Sequence, residues 1–314
     1  MRASGEDGIR IGVGIVGYGK IARDQHLTAI RENRRFFLHS VADPVGGPIS
    51  VPHYTDVDSM LGDENPPDAV VICTPPQARF DIAQRVLQRD IPVLLEKPPC
   101  ATLEEIESLR LLAQDGGITL FSAWHSQFAA AVGPAREWLK SRQAKSVRID
   151  WREDVRVWHP NQEWIWKSGG FGVFDAGINA LSIVTEILPG PLRLQDAVLS
   201  LPKLAETPVA AELRLADAMG ADVSAGFDFL QAGPPTWNIE VATDEGQLQL
   251  VEGGGRLFID GRELPVRPNR EYPSLYRHFA ELIETNRADV DVEPLRLVTE
   301  ALRIGRRMSI PVSI

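Results

Sequence analysis

The sequence predicts an α/β fold in two parts. An N-terminal domain carries a doubly wound parallel sheet, and a C-terminal α+β domain carries a large, mostly antiparallel sheet. Three observations predict it. A glycine-rich turn, Gly17-Tyr18-Gly19-Lys20-Ile21-Ala22, lies between an apolar run and a helical pattern. Apolar runs and helical spacings then alternate up to about residue 125. After about residue 145 the signal changes to short alternating segments separated by turn residues. At 314 residues the chain accommodates two domains of roughly 100–200 residues each. The division is placed at residues 1–126 and 127–314.

The elements follow in order. Residues 9–16 (IRIGVGIV) form a buried strand, and residues 20–33 have helical spacing. FLHSVAD (37–43) and AVVICT (69–74) are the next strands. Residues 77–90 place Ile82, Val86 and Leu87 on one helical face. PVLLEKP (92–98) is a strand ending in a charged turn. Thr102-Leu103-Glu104-Glu105 is a capping-box pattern that starts another helix, and ITLFSAWH (118–125) is a further strand. This alternation implies right-handed βαβ units. Beyond it, SVRIDWRE (146–153) alternates like an antiparallel strand, and a helix is expected around 176–187. Short strands run from about 194 to 267, and helical spacing returns at 272–286 and 294–307.

Composition narrows the function. The formal net charge of -10 and the absence of a basic stripe argue against nucleic acid and anionic membrane surfaces, and favour a neutral small molecule. Two cysteines, Cys73 and Cys100, make no disulfide framework. MRASGEDGIR has no apolar core of a signal peptide, and no stretch reads as a transmembrane span, so a cytoplasmic location is expected.

The glycine turn is a GxGxxA fingerprint. Gly17 permits the tight turn, Gly19 lets backbone approach a pyrophosphate, and Lys20 and Ile21 open the helix whose N-terminus faces the phosphates. The motif is weak alone, but it follows a strand and opens a helix, so a Rossmann-type dinucleotide site is expected. Asp43 ends the second strand, where an acid binds the adenosine ribose and repels a 2′-phosphate. Pro44-Val45-Gly46-Gly47 supplies no arginine, so NAD is expected over NADP, with NADP still possible. Thr74 and Pro75 line the cofactor groove, and Glu96 and Lys97 end a neighbouring strand beside it. Alcohol oxidation needs an acceptor for the hydroxyl proton and a group that stabilises charge on oxygen. Lys97 and Asp175 are the candidates, Asp175 at a helix start one turn before Asn179. No metal is expected, because no HExxH motif or cysteine cluster occurs and Glu153 with His159 provides too few ligands.

Taken with the glycine turn, the Glu96-Lys97-Pro98 run and the Gly169-Gly170 to Asp175-Ala176-Gly177-Ile178-Asn179 segment make the whole chain resemble the glucose–fructose oxidoreductase / inositol dehydrogenase / MocA family. Trp124-His125-Ser126, Trp158-His159-Pro160 and Glu163-Trp164-Ile165-Trp166 resemble its L-arabinose and D-galactose 1-dehydrogenase branch. Asn179 stands where most of the family carries histidine, a departure typical of that branch. The resemblance implies oxidation of the anomeric C1 hydroxyl of D-galactose, L-arabinose or D-fucose to a lactone. Asparagine takes up no proton, so proton transfer falls to Asp175 and Lys97. The tryptophans 151, 158, 164 and 166, with Trp237, read as a platform for the C–H face of a sugar. His125, Glu153, His159 and Asn179 supply polar contacts to its hydroxyls. Oxidation of a non-anomeric hydroxyl is the alternative within the family, and a non-catalytic nucleotide sensor the alternative outside it. The large second sheet needs its open face covered, so a homodimer or tetramer is expected.

Overall fold

A computed structural model of the chain describes residues 10–46, 50–160, 162–203 and 205–311. Ile9, Gly47 and residues 1–8 of the MRASGEDGIR stretch lie outside the described residues. Two compact units divide the chain. Residues up to Ala123 together with Tyr272–Asp291 form the first, and Trp124–Glu271 with Val292 onward form the second.

In the first unit, β1 (Ile11–Val16), β2 (Phe36–Ala42), β3 (His53–Tyr54), β4 (Ala69–Ile72), β5 (Val93–Glu96) and β6 (Leu120–Ala123) form one sheet in the order β3-β2-β1-β4-β5-β6. Every pairing is parallel. The order reverses between β1 and β4, and ligands bind such sheets outside the strand carboxyl ends at that reversal. β1, β4, β5 and β6 are buried on both faces, which is why they read as continuous apolar runs. The first crossover is one π-turn, Ala22–His26, running into α1 (Leu27–Glu32). Next come α2 (Val57–Leu61), α3 (Pro76–Leu87) and α4 (Leu103–Gly116). The expected capping box is formed: the Thr102 side chain accepts from Glu105 N–H, and the Glu105 carboxylate accepts from Thr102 N–H.

The second unit begins with α5 (Val132–Leu139), β7 (Ala144–Arg152), the one-turn α6 (Val155–Trp158) and α7 (Phe174–Ile187). Then come β8 (Arg193–Pro202), β9 (Ala210–Ala216), β10 (Asp222–Asp228), β11 (Thr236–Thr243), β12 (Gly246–Val251), β13 (Arg256–Ile259) and β14 (Arg262–Leu264). After α8 (Glu271–Thr285) and α9 (Glu293–Ile304), β15 (Arg306–Ile310) closes the sheet. Its nine strands run β14-β13-β12-β11-β7-β10-β9-β8-β15. The β7–β10 and β8–β15 pairs are parallel and the rest antiparallel. Val147, Ile149 and Trp151 of β7 point inward with Val223, Ala225 and Phe227 of β10. α7 is apolar almost all round and packs against both this sheet and α5 and α9, so it is buried on nearly every side.

Two expectations change. A division at 126/127 leaves Tyr272–Asp291 with the second domain, whereas these residues complete the first unit. Phe279 stacks on Phe36 with centroids 6.0 Å apart, and Tyr276 meets the same ring edge-on at 5.4 Å. Each such pair adds about 0.5–1.5 kcal/mol beyond its buried area. Ser122 N–H also donates to the Asp289 carbonyl at 3.0 Å, carrying the backbone pairing past β6. The last helix stops at Ile304, short of 307, because Gly305 turns extended (ψ 135°) and the following residues pair with β8.

Candidate active site

At the carboxyl end of β1, Gly17 has φ +86°, and a Cβ there would stand 2.8 Å from Thr74 N. Only glycine fits both conditions. Gly17 N–H donates to the Ala42 carbonyl at 2.9 Å, and Cys73 N–H to the Val16 carbonyl at 2.8 Å, so the ends of β1, β2 and β4 meet at this turn. The space beside Gly19 is open: a Cβ built there finds no atom within 4 Å. Lys20 pairs with Asp24 one turn on, and Ile21 leads into the π-turn. Asp43 Oδ2 accepts from Tyr18 N–H at 2.7 Å and Oδ1 from Val45 N–H at 2.9 Å, which locks the acid onto the glycine turn. Thr74, followed by Pro75 and α3, has a buried hydroxyl oxygen with no hydrogen-bond partner among the described residues. An open cradle, an oriented acid and an orphaned hydroxyl at the strand reversal fit a dinucleotide.

The Lys97 end lies in the same unit. Glu96 is buried; its Oε2 accepts from Lys97 N–H at 2.9 Å. Its Oε1 accepts from Tyr272 O–H at 2.7 Å and faces His26 Nε2 at 2.9 Å. Glu96, expected beside the cofactor, therefore turns its carboxylate inward. On the other side of His26, Nδ1 lies 2.9 Å from Tyr276 O–H. Burial alone would favour the neutral imidazole, but Cys73, Tyr276 and Glu96 outweigh it and hold the His26 pKa well above 6.5.

In the second unit, Glu153, His159, Asp175 and Trp237 converge. Asp154 caps α6 by accepting from Arg156 N–H, and His159 N–H closes the turn on the Val155 carbonyl at 2.8 Å. That single turn brings residues 153 and 159 side by side. His159 Nε2 is 2.9 Å from Glu153 Oε1, and Nδ1 is 3.3 Å from Asp175 Oδ2. Trp237 Nε1–H donates to Glu153 Oε2 at 2.8 Å. Asp175 reaches the cluster because Gly172, at φ +54°, passes so close to Pro208 that a Cβ would collide with its carbonyl. Val173 N–H then donates to that carbonyl at 2.7 Å, and α7 begins. Asn179 lies one turn further along α7. Trp158 is 44% exposed and meets Trp237 edge-on at 4.9 Å, an open aromatic surface beside the polar cluster. Trp151 stacks beneath Trp237 and is buried, so it fills the core. His125 Nδ1 lies 2.6 Å from Glu271 Oε2. Among the described residues no group of three or more His, Cys, Asp or Glu could hold a metal ion, and no helix is long and apolar enough to cross a membrane.

Residues 11–123 match the family model described as an oxidoreductase family with an NAD-binding Rossmann fold. A galactose 1-dehydrogenase of Pseudomonas fluorescens is 44% identical over 96% of this chain and 97% of its own. The crystal structure of a D-galactose-1-dehydrogenase from Rhizobium etli superposes with a TM-score of 0.92, at 49% identity over 96% of this chain and 97% of that one. The chain belongs to the Gfo/Idh/MocA oxidoreductase family. A more distant structure, the 3-ketoreductase KijD10 of Actinomadura kijaniata, has a TM-score of 0.84 at 18% identity over 96% of this chain and 100% of that one. It shares the fold alone.

This family member holds its Lys97 turn with residues that lie outside the motifs legible in the sequence. Arg79 is buried on α3; its Nε donates to the Thr74 carbonyl at 2.8 Å, and its Nη1 to the carbonyls of Glu96 and Pro98. The signal was an arginine at position 79, three and four residues from the apolar Ile82 and Ala83, on a face expected to be buried. His26, Tyr272 and Tyr276 had no such signal, because their partners are distant in sequence.

Proposed function

We propose that this protein is an NAD-dependent aldose 1-dehydrogenase that oxidises the C1 hydroxyl of D-galactose, L-arabinose or D-fucose to the aldonolactone. The observation that carries the reading is the 44% identity to a galactose 1-dehydrogenase across nearly the full length of both chains. Bound NAD supplies the hydride acceptor, nicotinamide C4. Asp175 takes the C1 hydroxyl proton as the C1–H bond gives up its hydride, and C1 becomes the lactone carbonyl. Lys97 donates a hydrogen bond to the C1 oxygen, favouring its deprotonation. Trp158 and Trp237 stack on the C–H face of the pyranose, with Glu153, Asn179 and His125 reading its hydroxyls. Asp43 binds the adenosine ribose and opposes a 2′-phosphate, which favours NAD.

A panel of aldoses with NAD and with NADP, followed at the reduced-cofactor absorbance, tests substrate and cofactor together. The expected result is NADH formation with galacto-configured sugars, a lactone product and a higher kcat/KM with NAD. Asp175→Ala and Lys97→Ala should each lower kcat by at least about 10²-fold while NAD still binds. Near-normal turnover in either variant removes that residue from the mechanism. A keto-sugar product in place of the lactone would instead identify oxidation at a ring carbon.

A further inference from the structure

We infer that His159 carries the sugar's proton away from Asp175, and that Glu153 fixes the tautomer that allows it. This rests on Asp175 being the base in the proposed reaction. The geometry is asymmetric. His159 Nε2 is at hydrogen-bond distance from Glu153 Oε1, 2.9 Å, and Nδ1 is 3.3 Å from Asp175 Oδ2. An ionised carboxylate only accepts hydrogen bonds, so the Glu153 contact requires the proton of a neutral ring to sit on Nε2. Trp237 holds Glu153 in place through its other oxygen. The Nδ1 lone pair then faces Asp175, which when ionised is also an acceptor. Two acceptors facing each other at this distance have room for one proton between them, and alcohol oxidation delivers one.

The steps balance. The O–H bond of the C1 hydroxyl breaks and an O–H forms on Asp175 as hydride leaves C1 for the nicotinamide. The Asp175 proton then passes to Nδ1, regenerating the carboxylate and leaving an imidazolium between two carboxylates. The imidazolium loses its proton to water; the His159 side chain keeps 15% of its surface exposed. Among the described residues, Glu153, just past the end of β7, and Asp175, on α7, are titratable groups that face the ring, and the uncharged ring of Phe229 lies against it with centroids 5.2 Å apart.

Lactone formation by the unaltered enzyme tests the underlying reaction first; if no aldose gives NADH, that reading fails before the relay is reached. With activity in hand, His159→Ala should lower kcat by about 10²-fold and move the sugar KM less than about threefold. Added imidazole should restore turnover in proportion to its free-base concentration. A raised KM with kcat intact, or a kcat loss that imidazole does not relieve in a protein with unchanged melting temperature and NAD affinity, would overturn the relay. Nitrogen NMR of the unaltered, histidine-labelled enzyme decides the matter even if the variant does not fold. The expected resting state is protonated at Nε2 and bare at Nδ1; the opposite tautomer, or a ring already doubly protonated, refutes the proposal.

Discussion

His26 is fully buried, yet two of its neighbours, Glu96 and Tyr276, are polar groups within 2.9 Å. Its folded-state pKa is held well above the ordinary 6.5 by Cys73, Tyr276 and Glu96 in spite of burial. In the unfolded chain the imidazole reverts to about 6.5. Below that pH both states carry the proton and the full stabilisation is present; as pH rises from there through the folded value, the stabilisation is lost. The melting temperature should therefore fall as pH is raised above about 6.5, and His26→Gln should flatten that slope. An unchanged slope in the variant would refute the assignment. Sequence alone pointed to the candidates that local spacing sets. Gly17 and Asp43 are separated by a spacing set by one βαβ crossover, and Asp175 follows its own glycine run. His26 was opaque because its role depends on Tyr276, which is 250 residues away.

At the scale of elements, α3 does more than cover the parallel sheet. Its buried stripe of Pro76, Arg79, Ala83, Val86 and Leu87 includes one cation, and that cation ties the end of β4 to the turn after β5 through three carbonyls. Arg79→Met should leave those carbonyls unsatisfied, costing about 3 kcal/mol in urea unfolding. A Lys97 displaced by about 1 Å should also lower kcat by up to about 10²-fold. A variant that loses stability but keeps wild-type kcat would show that the clamp supports the fold without placing Lys97. The elements legible in the sequence were those with a strong period: the strands of the parallel sheet other than the two-residue β3, the capped α4 and the alternating β7, β9, β10, β11 and β12. β15 was not legible, and its first two residues fell within the expected last helix. Its residues Arg306-Arg307-Met308-Ser309-Ile310 are mostly exposed, so no alternation marks them, and only their pairing with β8 makes them a strand. The one-turn α6 was likewise too short to carry a period, although it sets the distance between Glu153 and His159.

For the whole molecule, the first unit is assembled from two separate stretches of chain, and α8 beyond Glu271 belongs to it. Amides of residues 272–285 should therefore exchange with solvent in step with β1, β4 and β5. Phe279→Ala, which empties the stack on Phe36, should accelerate exchange in those strands by the equivalent of about 3–5 kcal/mol. Protection of α8 that follows β7 to β13 instead would contradict the division. A single cut between domains, the simplest reading of a chain that changes character once, could not reveal this return.

The discontinuity reaches into biosynthesis. At about 5–20 residues per second, a ribosome needs roughly 7–30 s to travel from Ala123 to Tyr272. Throughout that interval the nascent parallel sheet lacks its last helix, Phe36 has no ring stacked on it, and Glu96 and His26 have no tyrosine hydroxyls. The part of the chain made first is thus among the last to be finished, and its uncovered aromatic surface is where a chaperone would find this protein half-made.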